Sequence, residues 1–292
     1  MEFVLGILAA AFFALGTVLQ QKVAQEVPDE EAQNAGLLIQ LARRPVWVAG
    51  IVVDGLGFAC QAAALHFGQL AVVQPLLATA VVFALPFGVL ILRRRITRAD
   101  ITGALAVTLG LIFFLVMADP KDGVDDASTM SWIISGGVAG GACLVLLWAA
   151  RNRPPRAKAA LLGSAAGILF GFSAGLTLTV VDNLDDGVLS LLTDWHLYAL
   201  IAVGWISMTI SQQALQTGSL APAVSTQMSL DPVVSILLGV LIFQERIDDT
   251  VLEGAVAILG LVVMIAGLVY LAGAQSDQVE EEEPVTKSGS GP

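Results

Sequence analysis

The chain has 292 residues, of which 56% are hydrophobic and only 13% are charged, and its mean hydropathy is +0.81. Because a soluble domain carries charge on roughly a quarter of its residues, this composition excludes a large soluble domain. The formal net charge of −11 comes without a basic face, which argues against a nucleic-acid partner.

In chain order, long apolar segments predict nine transmembrane helices, since about 20 apolar residues are needed to cross a bilayer as an α-helix. The predicted spans are 3–21, 46–66, 70–92, 100–118, 131–150, 159–181, 196–216, 220–243 and 251–272. Residues 32–42 are apolar but too short to span cleanly, so a tenth helix or an interfacial helix stays open there. The predicted fold class is therefore all-α, a polytopic membrane protein of nine to ten transmembrane helices.

The distribution of Lys and Arg predicts the orientation in the membrane. With nine spans, all but Lys121 and Arg246 of the 14 basic residues fall on one side. The positive-inside rule places that side in the cytoplasm, together with the C-terminus. We expect a multi-pass protein of the plasma membrane, with the lipid bilayer as a partner and residues 274–292 as a disordered acidic cytoplasmic tail.

Three sequence matches in the same order, at offsets of 150 to 157 residues, predict an internal repeat. They pair Leu5-Gly6 with Leu162-Gly163, Ala64-Leu65 with Ala214-Leu215, and Arg95-Ile96 with Arg246-Ile247. The first membrane repeat is predicted at 1–118 and the second at 159–273. The linker at 119–158 contains one extra span, so the second repeat enters the membrane from the opposite face. Inverted repeats of this kind are common in secondary transporters.

Ionisable side chains in the middle of a span are costly, and they mark solute or ion pathways by default. Asp54 and Asp231 lie at such positions, with no Lys or Arg at a comparable depth. They predict coupling to protons or to a metal cation, and they are the candidate metal ligands, although no metal is assigned. The alternative is a protonated or hydrogen-bonded acid at a helix contact.

Two X-Pro pairs occupy related places in the two halves, Gln74-Pro75 and Asp231-Pro232. Proline inside a helix bends the axis and frees a backbone carbonyl, which a membrane tolerates where it faces protein or a wet cavity. Pro75 and Pro232 therefore predict either helix kinks beside a solute site or plain packing kinks. Two deep glutamines complete the predicted pathway. Its residues are Asp54, Gln61, Gln74, Gln227 and Asp231.

Other residues have simpler interpretations. Glycines at every fourth position predict close helix contacts; they are Gly163, Gly167, Gly171 and Gly175, and the pairs Gly136 with Gly140 and Gly137 with Gly141. His196, beside Trp195 and Tyr198, is typical of an interfacial aromatic belt. The sequence has no hydrolase motif and no nucleotide-binding P-loop. We therefore predict no catalytic residue, no enzyme activity and no cofactor.

The chain resembles the drug/metabolite transporter superfamily and its EamA-type members over nearly its whole length, and the second half carries the resemblance best. The resemblance lies in Pro232 within a span, Gln244-Glu245-Arg246-Ile247 at its end, and Gly254-Ala255 opening the last helix. Gln244 replaces the usual Gly of this pattern, and the first half has Arg94-Arg95-Ile96 without the Glu. The resemblance implies ten helices in two inverted repeats and a transport function.

Residues 45–80 also resemble the NIPA-type magnesium transporters of that superfamily, through Trp47-x-x-Gly50, Gly55-x-Gly57 and Val72-Val73-Gln74-Pro75-Leu76. That family's membrane Glu falls on Phe58 here, although Asp54 lies one helical turn away.

The leading hypothesis is a secondary transporter that carries a small molecule or ion by alternating access. A divalent-cation permease and a non-transporting scaffold or sensor are the alternatives. The glycine faces also leave a homodimer open.

Overall fold

The computed structural model describes residues 1–24, 43–93, 95–118, 123, 127–184, 187–217, 219–245 and 251–282. These residues form eleven helices and no strand. The helices are α1 (Glu2–Ala24), α2 (Pro45–Phe67), α3 (Leu70–Ala78), α4 (Ala80–Leu92), α5 (Arg98–Ala118), α6 (Thr129–Ala149), α7 (Pro155–Asp182), α8 (Val188–Thr193), α9 (Trp195–Leu215), α10 (Leu220–Leu241) and α11 (Val251–Glu282).

Within the described ranges, eight segments are long and apolar enough to cross a membrane, and they correspond to eight of the nine predicted spans. The ninth, predicted at 196–216, folds as the 21-residue helix α9 but is not among those eight. Its sequence contains His196, Gln212 and Gln213, which lower its hydropathy. Because α9 packs along α7, part of its surface is covered by protein.

The predicted span at 70–92 is divided into two helices. Pro75 lies inside α3, α3 ends at Ala78, and α4 begins at Ala80. Pro75 removes one N–H from the helical ladder. The break itself is at Thr79, whose hydroxyl and backbone N–H donate to the Leu76 carbonyl at 2.6 Å and 3.1 Å. In contrast, Pro232 lies within α10, which runs unbroken from Leu220 to Leu241.

Large apolar side chains cover the outer surface of the bundle. Ile134, Trp148 and Leu237 are each at least half exposed, as a lipid-facing surface requires. The interior instead uses small residues where helices cross. A Cβ added to Gly110 of α5 would lie 2.4 Å from the backbone nitrogen of Met264 on α11. Helices α5 and α11 therefore pack backbone to backbone, as small residues allow in membranes.

The helices have matching neighbours in the two predicted repeats. In the first, α1 packs against α2 and against α3 and α4; in the second, α7 packs against α9 and α10. The last helices of the two units, α5 and α11, pack on each other. Helix α3 contacts helices of both units, so it lies at their junction. The inverted relation between the repeats remains a prediction.

One boundary predicted from the sequence is wrong. The disordered tail was expected to begin at residue 274, but α11 continues through Glu282. Residues 274–282 contain Ala, Gln and Glu, which favour a helix, and the first proline after them is Pro284. The rest of the predicted tail, the segment 32–42, and residues 119–122 of the linker lie outside the described residues.

Candidate functional site

The predicted glycine ladder of α7 is confirmed as a close helix contact. Added Cβ atoms at Gly163, Gly167 and Gly171 would lie 2.3, 2.6 and 2.6 Å from backbone carbonyl oxygens of α10. Those oxygens belong to Ala223, Gln227 and Asp231. The ladder therefore holds the helix that carries two predicted pathway residues. The α6 glycines differ, because no described atom lies within 4 Å of the added Cβ at Gly137, Gly140 or Gly141.

The Asp231 carboxyl and the Gln74 amide are buried and incompletely bonded. Among the described residues, Asp231 Oδ1 and Gln74 Nε2 have no hydrogen-bond partner. One turn later, the Ser235 hydroxyl donates to the Asp231 backbone carbonyl at 2.9 Å. Buried polar atoms are bonded in more than nine cases in ten, so an open acceptor and an open donor indicate missing polar partners.

The two side chains lie at a similar depth on packed helices. Ala71 at the start of α3 shares a core cluster with Ile236, and Leu76 shares another with Met228. Helix α3 therefore runs antiparallel to this part of α10. Gln74 lies between Ala71 and Leu76 on α3, and Asp231 lies between Met228 and Ile236 on α10. The chain thus brings an amide donor and a carboxyl acceptor to the junction between the predicted repeats.

Gln227 is part of the same wall. Its Oε1 accepts a hydrogen bond of 2.7 Å from the Ser211 hydroxyl, which joins α10 to α9. The neighbouring Thr226 hydroxyl donates to the Ala160 carbonyl of α7 at 3.1 Å. Of the five predicted pathway residues, Gln74, Gln227 and Asp231 therefore lie on two helices that pack together.

Asp54 and Gln61 lie on α2, which packs mainly against α1. Gln20 of α1 donates to Asp54 Oδ2 at 2.5 Å, and a Cβ added to Gly16 would lie 2.0 Å from Oδ1. The Asp54 carboxylate therefore lies at the α1–α2 crossing with Gln20 as a hydrogen-bond donor. Its predicted role in the pathway remains a prediction. Across the described parts of the chain, no three His, Cys, Asp or Glu side chains are grouped to hold a metal ion.

Glu245 is the residue that the pathway prediction missed. Its side chain is 4% exposed, and its carboxylate accepts hydrogen bonds from the backbone amides of Leu70 at 2.6 Å and Ala71 at 2.9 Å. Burial raises the pKa of the Glu245 carboxyl above its usual 4.5, against the opposing effect of the two amides. The signal in the sequence was the Gln-Glu-Arg-Ile segment, which was used only for the family resemblance.

A polar and aromatic cluster lies beside Glu245. Trp132 of α6 packs edge to face on Phe243 at 5.8 Å and on His196 at 5.4 Å between ring centroids. His196 is only 8% exposed, so the belt interpretation is wrong for it, although Trp195 and Tyr198 are exposed. Its Nδ1 lies 2.8 Å from the Asp194 carboxylate, which turns the ring inward.

Asp194 begins α9 and has several partners. Burial raises the pKa of the Asp194 carboxyl. Hydrogen bonds from the His196 backbone and ring and from the Asn183 amide lower this pKa, as does the electrostatic attraction to His196, and together these effects are larger than that of burial. The pKa of Asp194 is therefore below its usual 3.8. The carboxylate ties α9 to the end of α7, which places both at the same end of the bundle as Glu245.

A cavity of about 600 Å³ opens at the opposite end, between α7, α10 and α11. Its lining includes Arg156, Ala160, Pro222, Ser225, Thr226 and Val269. With 100° between successive residues of a helix, Asp231 points about 140° away from Thr226 on α10. This cavity is therefore on a different face of α10 from the predicted solute path.

These features define an all-α polytopic membrane protein with buried polar groups at a helix junction. The family model of the EamA-like transporter family matches residues 33–116, which confirms the predicted resemblance over that part of the chain. The chain is also 28% identical over 269 residues to an uncharacterized protein of Corynebacterium glutamicum, covering 90% of this chain and 92% of that one. No solved structure matches the chain. The matched family consists of transporters rather than enzymes.

Proposed function

We propose that the chain is a secondary transporter that moves a small polar solute across the plasma membrane by alternating access. Its solute path runs along the junction of α3 and α10, past Gln74, Gln227 and Asp231. The observation that carries the proposal is the pair of buried, unpartnered atoms, Asp231 Oδ1 and Gln74 Nε2, among the described residues. A solute with both a donor and an acceptor group satisfies this pair.

Asp231 also supports coupling to a proton or another cation. The sequence of α10 contains no Lys or Arg, so the carboxylate has no basic partner on its own helix. A carboxylate in the middle of a span is stable when it is protonated or when it binds a cation. Binding and release of that cation at Asp231 would change the charge of the path in each transport cycle. The basic loop after α6 faces the cytoplasm in this proposal.

The test is solute uptake into proteoliposomes that contain the purified full chain. A panel of radiolabelled amino acids, amines and small metabolites identifies a transported solute, and Asp231→Asn and Gln74→Leu are then compared with the wild-type chain. We expect each variant to lower the uptake rate at least tenfold, the equivalent of one hydrogen bond to a charged group. Asp182→Asn, the same chemical change at the end of α7, is the matched control.

Two results would count against the proposal. Uptake of the solute that is unchanged by Asp231→Asn would remove the carboxyl from the mechanism. The absence of flux for every solute of the panel, with a chain that elutes as a single folded species, would favour the scaffold alternative.

A further inference from the structure

Glu245 joins two parts of the chain that are 175 residues apart. Its two carboxylate oxygens accept hydrogen bonds from the Leu70 and Ala71 amides, at the start of α3. Helix α3 has no cap of its own, because its N-cap residue Gln69 makes no side-chain cap hydrogen bond. The amides of a first helical turn have no partner within their helix. Glu245, which follows α10, therefore supplies the cap that α3 lacks.

A turn after α10 aims the Glu245 side chain at α3. The Glu245 amide donates to the Gly239 carbonyl at 2.9 Å, and Gln244 between them has a positive φ of 55°. A Cβ added to Gly239 would lie 2.3 Å from Glu245 Oε2. A side chain at residue 239 would therefore have to displace the Glu245 carboxylate from this position.

The contact lies where the path would have to open. Phe243, two residues before Glu245, packs in one apolar cluster with Leu70 and Val73 of α3 and with Trp132. Gln74 follows this cluster along α3, and its Nε2 is one of the two buried atoms that support the proposed function. In the proposed path, water or a solute entering from this end would reach Gln74 once the start of α3 separates from the end of α10.

The sequence has no carboxylate at the related position of the first half. At the repeat offset of 151 residues, the position of Glu245 corresponds to Arg94, and a guanidinium cannot accept hydrogen bonds from helix amides. We name the end of the bundle where the Glu245 carboxylate meets the start of α3 the Glu245 end.

We infer that Glu245 is a reversible latch: its bonds to the Leu70 and Ala71 amides hold the Glu245 end closed, and their exchange for water opens that end of the solute path. The latch has this role only if the chain transports a solute, so the inference rests on the proposed function. Glu245 acts through the position of α3 and does not itself touch the solute.

Cysteine labelling tests the latch without knowledge of the solute. Cys60 and Cys143 are replaced by Ala, and Gln74→Cys reports access to the path. A membrane-impermeant charged maleimide is applied to intact cells and to inverted vesicles, which expose opposite ends of the bundle. Uptake is measured in parallel on the chain that retains Gln74. Glu245→Gln keeps the shape but loses one acceptor and the charge, and Glu253→Gln in the first turn of α11 is the matched control.

We expect Glu245→Gln to raise the labelling rate from the Glu245 end about tenfold, the effect of one lost hydrogen bond to a charged group, and to lower it from the opposite end. Glu253→Gln should change neither rate. Glu245→Asp, which keeps the charge on a shorter side chain, should lie between Glu245→Gln and the wild type.

Faster labelling from both ends would indicate local unfolding and would overturn the latch. Unchanged labelling in Glu245→Gln, together with wild-type solute uptake, would overturn the latch and leave the proposed function standing. If the wild-type chain shows neither uptake nor labelling from either end, the proposed function fails, and the latch fails with it.

Discussion

The contact between α7 and α10 offers a direct test of the packing that holds the proposed site. Gly163 is at the closest approach, where an added Cβ would lie 2.3 Å from the Ala223 carbonyl oxygen and 2.5 Å from Thr226 Oγ1. The carbonyl belongs to the backbone and cannot rotate away. Because a relaxed carbon–oxygen contact needs about 3.4 Å, Gly163→Ala must separate the helices by roughly 1 Å.

The expected cost follows from two opposing effects. Overpacking a close contact costs about 1–3 kcal/mol, whereas Ala in place of Gly favours the helix by up to about 1 kcal/mol. The separation also stretches the hydrogen bond from Thr226 to the Ala160 carbonyl, which is already 3.1 Å long. We therefore expect Gly163→Ala to lower the free energy of unfolding by about 1–2 kcal/mol.

Thermal melting in detergent, followed by size-exclusion chromatography, measures this change. On the scale of soluble chains of this size, the midpoint should fall by roughly 2–8 °C. The Cβ added by Gly175→Ala on the same helix meets side chains and no backbone atom, the nearest being Leu238 Cδ1 at 3.3 Å, so this change should cost less. Gly204→Ala of α9, which has no described atom within 4 Å of the added Cβ, should be neutral or stabilising. A melting midpoint of Gly163→Ala equal to that of Gly204→Ala would refute the close contact.

Two further predictions concern the polar contacts. Gln20→Leu removes the donor to Asp54 and should lower the melting midpoint, since a partly buried carboxylate then loses a partner worth about 1–3 kcal/mol; an unchanged midpoint would contradict the role given to Gln20. The pKa of Asp194 is lowered, so its contribution is present above its usual 3.8 and is lost as the pH falls through the lowered value. Asp194→Asn should loosen the start of α9 at neutral pH, seen as faster hydrogen exchange of the His196 amide, and equal exchange would count against the cap.

The sequence was sufficient for those features that depend on local composition. Apolar length predicted eight helices that the structure has at nearly the same positions, and the spacing of Gly163, Gly167 and Gly171 predicted a close helix contact. The length of an apolar segment predicts a span because every helix has to cross the same bilayer thickness. The spacing of small residues predicts a close contact because two backbones can approach only where side chains are small. The same reasoning was wrong at residue 274, where a polar composition was interpreted as disorder although its residues favour a helix.

The partners of the polar residues could not be predicted in this way. Asp54 and Asp231 look alike in sequence, each a single acid in an apolar span. In the fold, Asp54 meets Gln20 at the α1–α2 crossing, whereas Asp231 Oδ1 has no described partner. The difference depends on which helix lies opposite, and no local pattern encodes that.

The sequence by itself thus determined the class, the spans and the candidate polar residues of this protein, because hydrophobicity and helix length act locally along the chain. Only the tertiary structure decided which of those residues share a junction, and it alone revealed the bond between Glu245 and the start of α3. That bond joins positions 175 residues apart, and its geometry exists only once α3 and α10 have packed. The tertiary structure brings the buried carboxylate to the two helix amides, and the spacing of these residues in the sequence does not indicate the contact.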